Sequence, residues 1–179
     1  MQFDPELYCA LHTGTPGDKA FYAHLAQNQC VLELGCGDGR VSEAMVLRGA
    51  RVSALELHPG MLALAEKRRA RLDRHAQARW SITQGKMQSF ALPEQFDLIV
   101  IPYSGLFCLD AKEKNHCIKR IKEHLRPGGC LVFDTYATER IFEEASYTGP
   151  SWAPLTMLET SQGLVLVQER ERYSPERIV

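Results

Sequence analysis

The sequence predicts one α/β domain with a mostly parallel central sheet flanked by helices, followed by a C-terminal antiparallel β-hairpin. Three observations predict it. Short apolar runs rich in β-branched residues alternate with helical patterns, as a series of βαβ units requires. The chain has 179 residues, enough to bury a substantial core. The pattern then breaks at Gly149-Pro150-Ser151, and the tail alternates apolar and polar residues instead.

Each element is read from local signals. Cys30–Leu34 is a buried first strand. Arg40–Arg48 is a helix with Val41, Ala44 and Met45 on one face and Gly49 ending it. Arg51–Leu57 is the second strand, and Pro59 suits the first turn of a helix running to about His75. Trp80–Gln84 is a weaker third strand, with Trp80 in the core, and Phe96–Pro102 is the fourth. Asp110 with Glu113 forms a capping box for a helix whose apolar side carries Cys117, Ile118, Ile121 and Leu125. Arg126-Pro127-Gly128-Gly129 stops it before a fifth strand, Cys130–Tyr136, and a short helix over about 138–145. Residues 154–159 and 164–173 read as the hairpin, turning at Ser161-Gln162-Gly163. The expected organisation is a single domain, 1–179. Within it, residues 1–29 are expected to be an N-terminal segment, 30–148 the core, and 149–179 a β-hairpin appendage.

Composition narrows the classes of function. The net charge is −1, so no general electrostatic attraction to nucleic acid or an anionic membrane is expected. The basic stretch Lys67-Arg68-Arg69-Ala70-Arg71 reads as the solvated face of an outer helix. No apolar run approaches the length of a membrane span, and the first residues do not read as a signal peptide. Six scattered cysteines without a C-x-x-C pair read as reduced thiols, which makes a cytoplasmic location the expectation. The histidines lack metal-ligand spacing, so no metal is expected.

The chemistry concentrates where the first strand ends. Gly35, Gly37 and Gly39 lie between that strand and a helix, a place where backbone can approach a ligand closely and free N–H groups face it. Glu56 ends the second strand, where a carboxylate can accept from both hydroxyls of a ribose; the alternative is a solvent-facing glutamate. The spacing is G-x-G-x-G rather than the dinucleotide pattern G-x-G-x-x-G. Glu33 and Asp38 put negative charge at the loop. That disfavours a pyrophosphate and suits a nucleoside carrying cations, such as an α-amino group and a sulfonium.

These residues resemble motif I of the class I S-adenosylmethionine-dependent methyltransferases across Val31–Arg40. Further segments resemble that family in the right order: Val52–Pro59 with Met61, Phe96–Val100 with Leu106-Phe107, and Leu125–Gly129. The resemblance implies a Rossmann-like fold binding S-adenosylmethionine and releasing S-adenosylhomocysteine. It implies that Gly35, Cys36, Gly37 and Gly39 pass close to the methionine part, with Glu33 and Asp38 holding its amino group. It places Glu56 on the ribose and Leu57, Met61, Met87 and Gln88 around the adenine. Ile101, Pro102 and Tyr103 would lie under the reactive centre, with Phe107 nearby. Lys86 stands where members of the family often carry an acid for the adenine amino group, and lysine cannot accept that bond. Tyr8 and Tyr22, with His12, lie in an N-terminal segment similar to the cofactor-covering entry of the glycine N-methyltransferase-like and aminosugar N-methyltransferase-like groups.

The resemblance implies an enzyme that methylates a small molecule at nitrogen or oxygen by in-line displacement, acting as a monomer or homodimer. His12 and Tyr103 are the candidate catalytic residues, His12 as a base and Tyr103 as an orienting hydroxyl. Cys36 and Cys108 read as small packing residues. The competing readings are a non-catalytic S-adenosylmethionine-binding module and an NAD(P)-dependent oxidoreductase.

Overall fold

The computed structural model describes residues 4–135 and the backbone of Thr156–Thr160 and Gly163–Val167. Its packing divides into two compact units, Gly14–Thr135 and a smaller one combining Met1–Thr13 with Tyr136–Val179.

The larger unit holds a five-stranded parallel sheet in the order β3-β2-β1-β4-β5. Its strands are β1 (Cys30–Leu34), β2 (Arg51–Glu56), β3 (Trp80–Gln84), β4 (Phe96–Ile101) and β5 (Leu125–Phe133). Chain order reverses between β1 and β4, so these neighbours form the switch point of a doubly wound sheet. Every residue of β1 is buried, as befits a central strand covered on both faces. One face packs Val31, Val41, Met45, Val46 and Trp80 into a core, and the other packs Leu32, Leu34, Phe96, Ile99 and Ile121.

The helices of this unit are α2 (Asp18–Leu25), α3 (Arg40–Leu47), α4 (Pro59–Arg69), α5 (Arg74–Ala78) and α6 (Ala111–His124), with a 3-10 turn at Gly105–Cys108. The capping box of α6 forms as the sequence predicts. The apolar stripe of α6 is narrower than expected: Cys117 and Ile121 are buried, whereas Ile118 is exposed. The helix after β2 stops at Arg69 rather than near His75. Asp73 accepts from the Ala76 N–H and starts a separate short helix there. The second strand ends at Glu56, and Leu57 is exposed beyond it. The fourth strand ends at Ile101, just before Pro102.

The fifth strand begins earlier than its residues suggest. Leu125 pairs with Phe96 before the register shifts, and Cys130 then pairs with Leu98. The proline–glycine segment is therefore an irregularity within the pairing and not a stop before it. Gly128 (φ +82) supplies the left-handed residue that this needs. Neither α2 nor the 3-10 turn was expected as an element. Both are short, and periodicity over so few residues is weak.

In the smaller unit, α1 (Pro5–Leu11) is capped by the Asp4 side chain, which accepts from Glu6 and Leu7. The expected hairpin forms from β6 (Thr156–Thr160) and β7 (Gly163–Val167), antiparallel, with Thr160 opposite Gly163. Tyr136, the helix expected at 138–145, the turn residues Ser161 and Gln162, and the hairpin beyond Val167 lie outside the described residues.

Candidate functional site at the C-terminal edge of the sheet

Because the strands are parallel, the loops after β1 to β5 all emerge at one edge. Glu56 organises the first two. Its Oε2 accepts from the Gly37 N–H at 2.9 Å, and its Oε1 accepts from the Leu57 and His58 N–H groups at 2.8 Å each. These bonds use three of the roughly four acceptor positions of a carboxylate. By this count Oε2 keeps one acceptor position for a further donor beside the glycine loop.

The loop needs its glycines for two separate reasons. At Gly37 the backbone is left-handed (φ +58) and presents its N–H to Glu56. At Gly39 (φ +78) a Cβ would fall 2.6 Å from the Trp80 ring, far inside contact distance. Methionines flank the same loop. Met87 Cε lies 3.1 Å from the place a Cβ on Gly35 would occupy, and Met61 Cε lies 3.4 Å from that on Gly37. The loop, Glu56, Met61 and Met87 thus come together as the sequence reading required.

Glu33 lies on β1 beneath the loop and is fully buried. The Ser42 hydroxyl donates to its Oε2. Burial pushes its carboxyl up to about 8, only partly offset by the Ser42 bond and the Arg40 charge. A buried carboxyl with one hydroxyl donor is poised to ionise when a cation arrives beside it. Cys36 is buried too, and burial raises its thiol, so it packs as expected. Cys108 differs from the packing role expected of it, because its 3-10 turn leaves it exposed.

Asp38 has been recruited elsewhere. Its carboxylate pairs with Arg68 of α4, which also meets the Asp38 carbonyl at 3.0 Å and Glu43 at 2.9 Å. Arg68 and Arg69 are therefore not the solvated face that the basic run suggested: Arg68 ties α4 to the glycine loop and to α3. Arg69 bonds Glu66 and the Trp80 carbonyl.

The segment after β4 is strained. Tyr103 and Ser104 are consecutive non-glycine residues at φ 55, each costing about 1–2 kcal/mol. Asp134, just past β5, bridges both: the Tyr103 N–H donates to its Oδ2 at 2.7 Å and the Ser104 N–H to its Oδ1. The Tyr22 hydroxyl donates to the same carboxylate at 2.9 Å, and burial followed by that contact raises the phenol well above its ordinary range. The Arg40 guanidinium lies 5.6 Å from the centre of the Tyr103 ring and forms a two-pronged ion pair with Asp18. Against a burial penalty, that guanidinium holds the Asp18 carboxyl below its ordinary value.

Other predicted site residues fall at the margins. Lys86 is exposed, and the Gln88 amide donates to Glu113 at 3.0 Å. Ile101 and Pro102 are buried at the end of β4. Phe107 is half exposed, with the Lys114 ammonium 5.2 Å from its ring centre. Tyr8 and His12 belong to the smaller unit, where their rings meet at 4.4 Å. Asp134, Asp18, Arg40 and Arg68 were missed as site residues. Asp134 carried no local signal, because it lies inside the strand expected over Cys130–Tyr136 and falls just past the strand only in the structure. A cavity of about 500 Å³ lined by Arg51, Arg69 and Trp80 opens near the beginnings of β2 and β3, the opposite end of the strands.

Known proteins share the family and the fold. A methyltransferase-domain family model matches residues 31–129. The chain belongs to that family and has the class I S-adenosylmethionine-dependent methyltransferase architecture. It is 33% identical over 105 residues to the cypemycin N-terminal methyltransferase of a Streptomyces species, covering 58% of this chain and 40% of that protein. It is 31% identical over 109 residues to a ubiquinone biosynthesis O-methyltransferase of Pseudomonas putida, covering 59% and 43% respectively. The chain thus matches less than half the length of these relatives. Among solved structures, the glycopeptide N-methyltransferase MtfA complexed with sinefungin aligns with a TM-score of 0.65 at 26% identity, over 91% of this chain and 69% of that one. MtfA has also been solved with S-adenosylmethionine and with S-adenosylhomocysteine. DesVI of Streptomyces venezuelae shares the fold, with a TM-score of 0.68 at 18% identity over 96% and 84% of the two chains. Among the described residues, no helix is long and apolar enough to cross a membrane.

Proposed function

We propose that the chain binds S-adenosylmethionine across the C-terminal edge of β1, β2 and β4 and transfers its methyl group to a small-molecule nitrogen or oxygen nucleophile. The observation that carries this is the Glu56 carboxylate, bonded to the Gly37 N–H of the glycine loop and left with one acceptor position by count. The residues fit such a cofactor. Glu56 suits a ribose hydroxyl, and the thioethers of Met61 and Met87 give the crevice soft, apolar walls. Glu33 supplies the negative charge an ammonium requires, more directly than Asp38, which Arg68 already neutralises.

When bound, the cofactor supplies a sulfonium-activated methyl group. The chain's part is orientation and water exclusion, and alignment of two reactants is worth on the order of 7–11 kcal/mol. Ile101 and Pro102 form a buried floor, and Tyr103 is fixed at its edge by Asp134. The Tyr103 hydroxyl is the proposed orienting group for the acceptor. The N-methyltransferases and O-methyltransferases among its relatives support an acceptor of either kind. The chain is proposed to act as a monomer or homodimer in the cytoplasm.

Thermal-shift measurements test the cofactor class. The melting temperature should rise with S-adenosylhomocysteine and not with NADH. Stabilisation by NADH alone would mean a dehydrogenase-type site.

A further inference from the structure

We infer that Asp134 is a positioning residue: it holds the left-handed Tyr103–Ser104 turn in place so that the Tyr103 ring is presented to the glycine-loop side of the crevice. The inference rests on the cofactor site proposed above. Three donors from separate parts of the chain converge on this one carboxylate. They are the Tyr22 hydroxyl of α2 and the successive N–H groups of Tyr103 and Ser104.

Neither Tyr103 nor Ser104 is a glycine, yet both sit at φ 55. A turn of two consecutive such residues persists only where its surroundings determine it. A carboxylate accepting from both N–H groups contributes to that, because its two oxygens bond the donors where the left-handed turn places them. The consequence travels further. Tyr103 meets Arg40, and Arg40 opens α3 directly after Gly39. Arg40 in turn pairs with Asp18 at the start of α2, the helix that carries Tyr22. The chain of contacts closes on itself: Asp134, the turn, Tyr103, Arg40, Asp18, α2, Tyr22 and back to Asp134. An error in the turn therefore moves the wall of the crevice and its loop together.

Calorimetric titration of the full chain with S-adenosylhomocysteine tests this. Asp134→Asn keeps the shape but cannot accept from all three donors. It should weaken binding about tenfold, the effect of losing a charged acceptor. Ser104→Gly lets the turn adopt φ > 0 without being held. Placed in the Asp134→Asn background, it should recover part of the lost affinity. Asp134→Glu, which keeps the charge but displaces the carboxylate by one methylene, carries the same expectation and serves where Asp134→Asn does not fold. Wild-type affinity in both Asp134 variants overturns the inference, as does a loss that Ser104→Gly leaves untouched. A wild-type chain that does not bind S-adenosylhomocysteine instead overturns the cofactor reading itself, and the inference with it.

Discussion

At Glu33, burial ties the stability of the fold to pH. Its carboxyl is held near 8 by burial, against about 4.5 in an open chain. Between those values the unfolded chain loses the proton and the folded chain keeps it, so stability falls as pH rises from about 4.5 to 8. Glu33→Gln removes that slope. Denaturant unfolding at a series of pH values should show the variant gaining on the wild type across this window, with the difference constant above it. An α-ammonium group bound beside Glu33 should reverse the protonation. Titration with S-adenosylhomocysteine at pH 7 in two buffers of different ionisation enthalpy should show proton release, absent in Glu33→Gln. Glu56 and the glycines were legible in the sequence because strand, turn and acidic strand end recur at fixed spacing. Asp134 was not, because its partners Tyr103 and Tyr22 lie 31 and 112 positions away. Only the folded sheet brings them to one edge.

At the scale of elements, the loop between β1 and α3 is built by its neighbours. Gly39→Ala would force a Cβ into the Trp80 ring at φ +78. The expected loss is about 1–3 kcal/mol from overpacking, with backbone strain added, read as a lower urea midpoint at unchanged m. Arg68→Ala cuts the link from α4 to Asp38 and Glu43. It leaves two carboxylates beside each other, and thermal unfolding should show a loss of about 1 kcal/mol, reduced by salt. The strands were readable because their apolar runs are buried on both faces. The break between α4 and α5 was not, because Asp73 reads equally well as a surface residue or as a cap. The early start of β5 was hidden as well: Pro127-Gly128-Gly129 marks a turn in any single sequence, and only pairing with Phe96 shows that the strand has already begun.

At the scale of the molecule, the switch point between β1 and β4 places the glycine loop, Glu56 and the Tyr103 turn around one crevice. The parallel order followed from alternating patterns, while the ion pairs that brace the crevice depended on tertiary contact. The central claim is that this crevice binds an S-adenosyl nucleoside, with Glu56 accepting from its ribose. The most direct measurement is isothermal titration of S-adenosylhomocysteine into the wild-type chain and into Glu56→Ala. The account predicts saturable one-site binding, weakened in the variant by about 1.5–3 kcal/mol, the worth of hydrogen bonds to a charged acceptor. Equal affinity in the two proteins would contradict it.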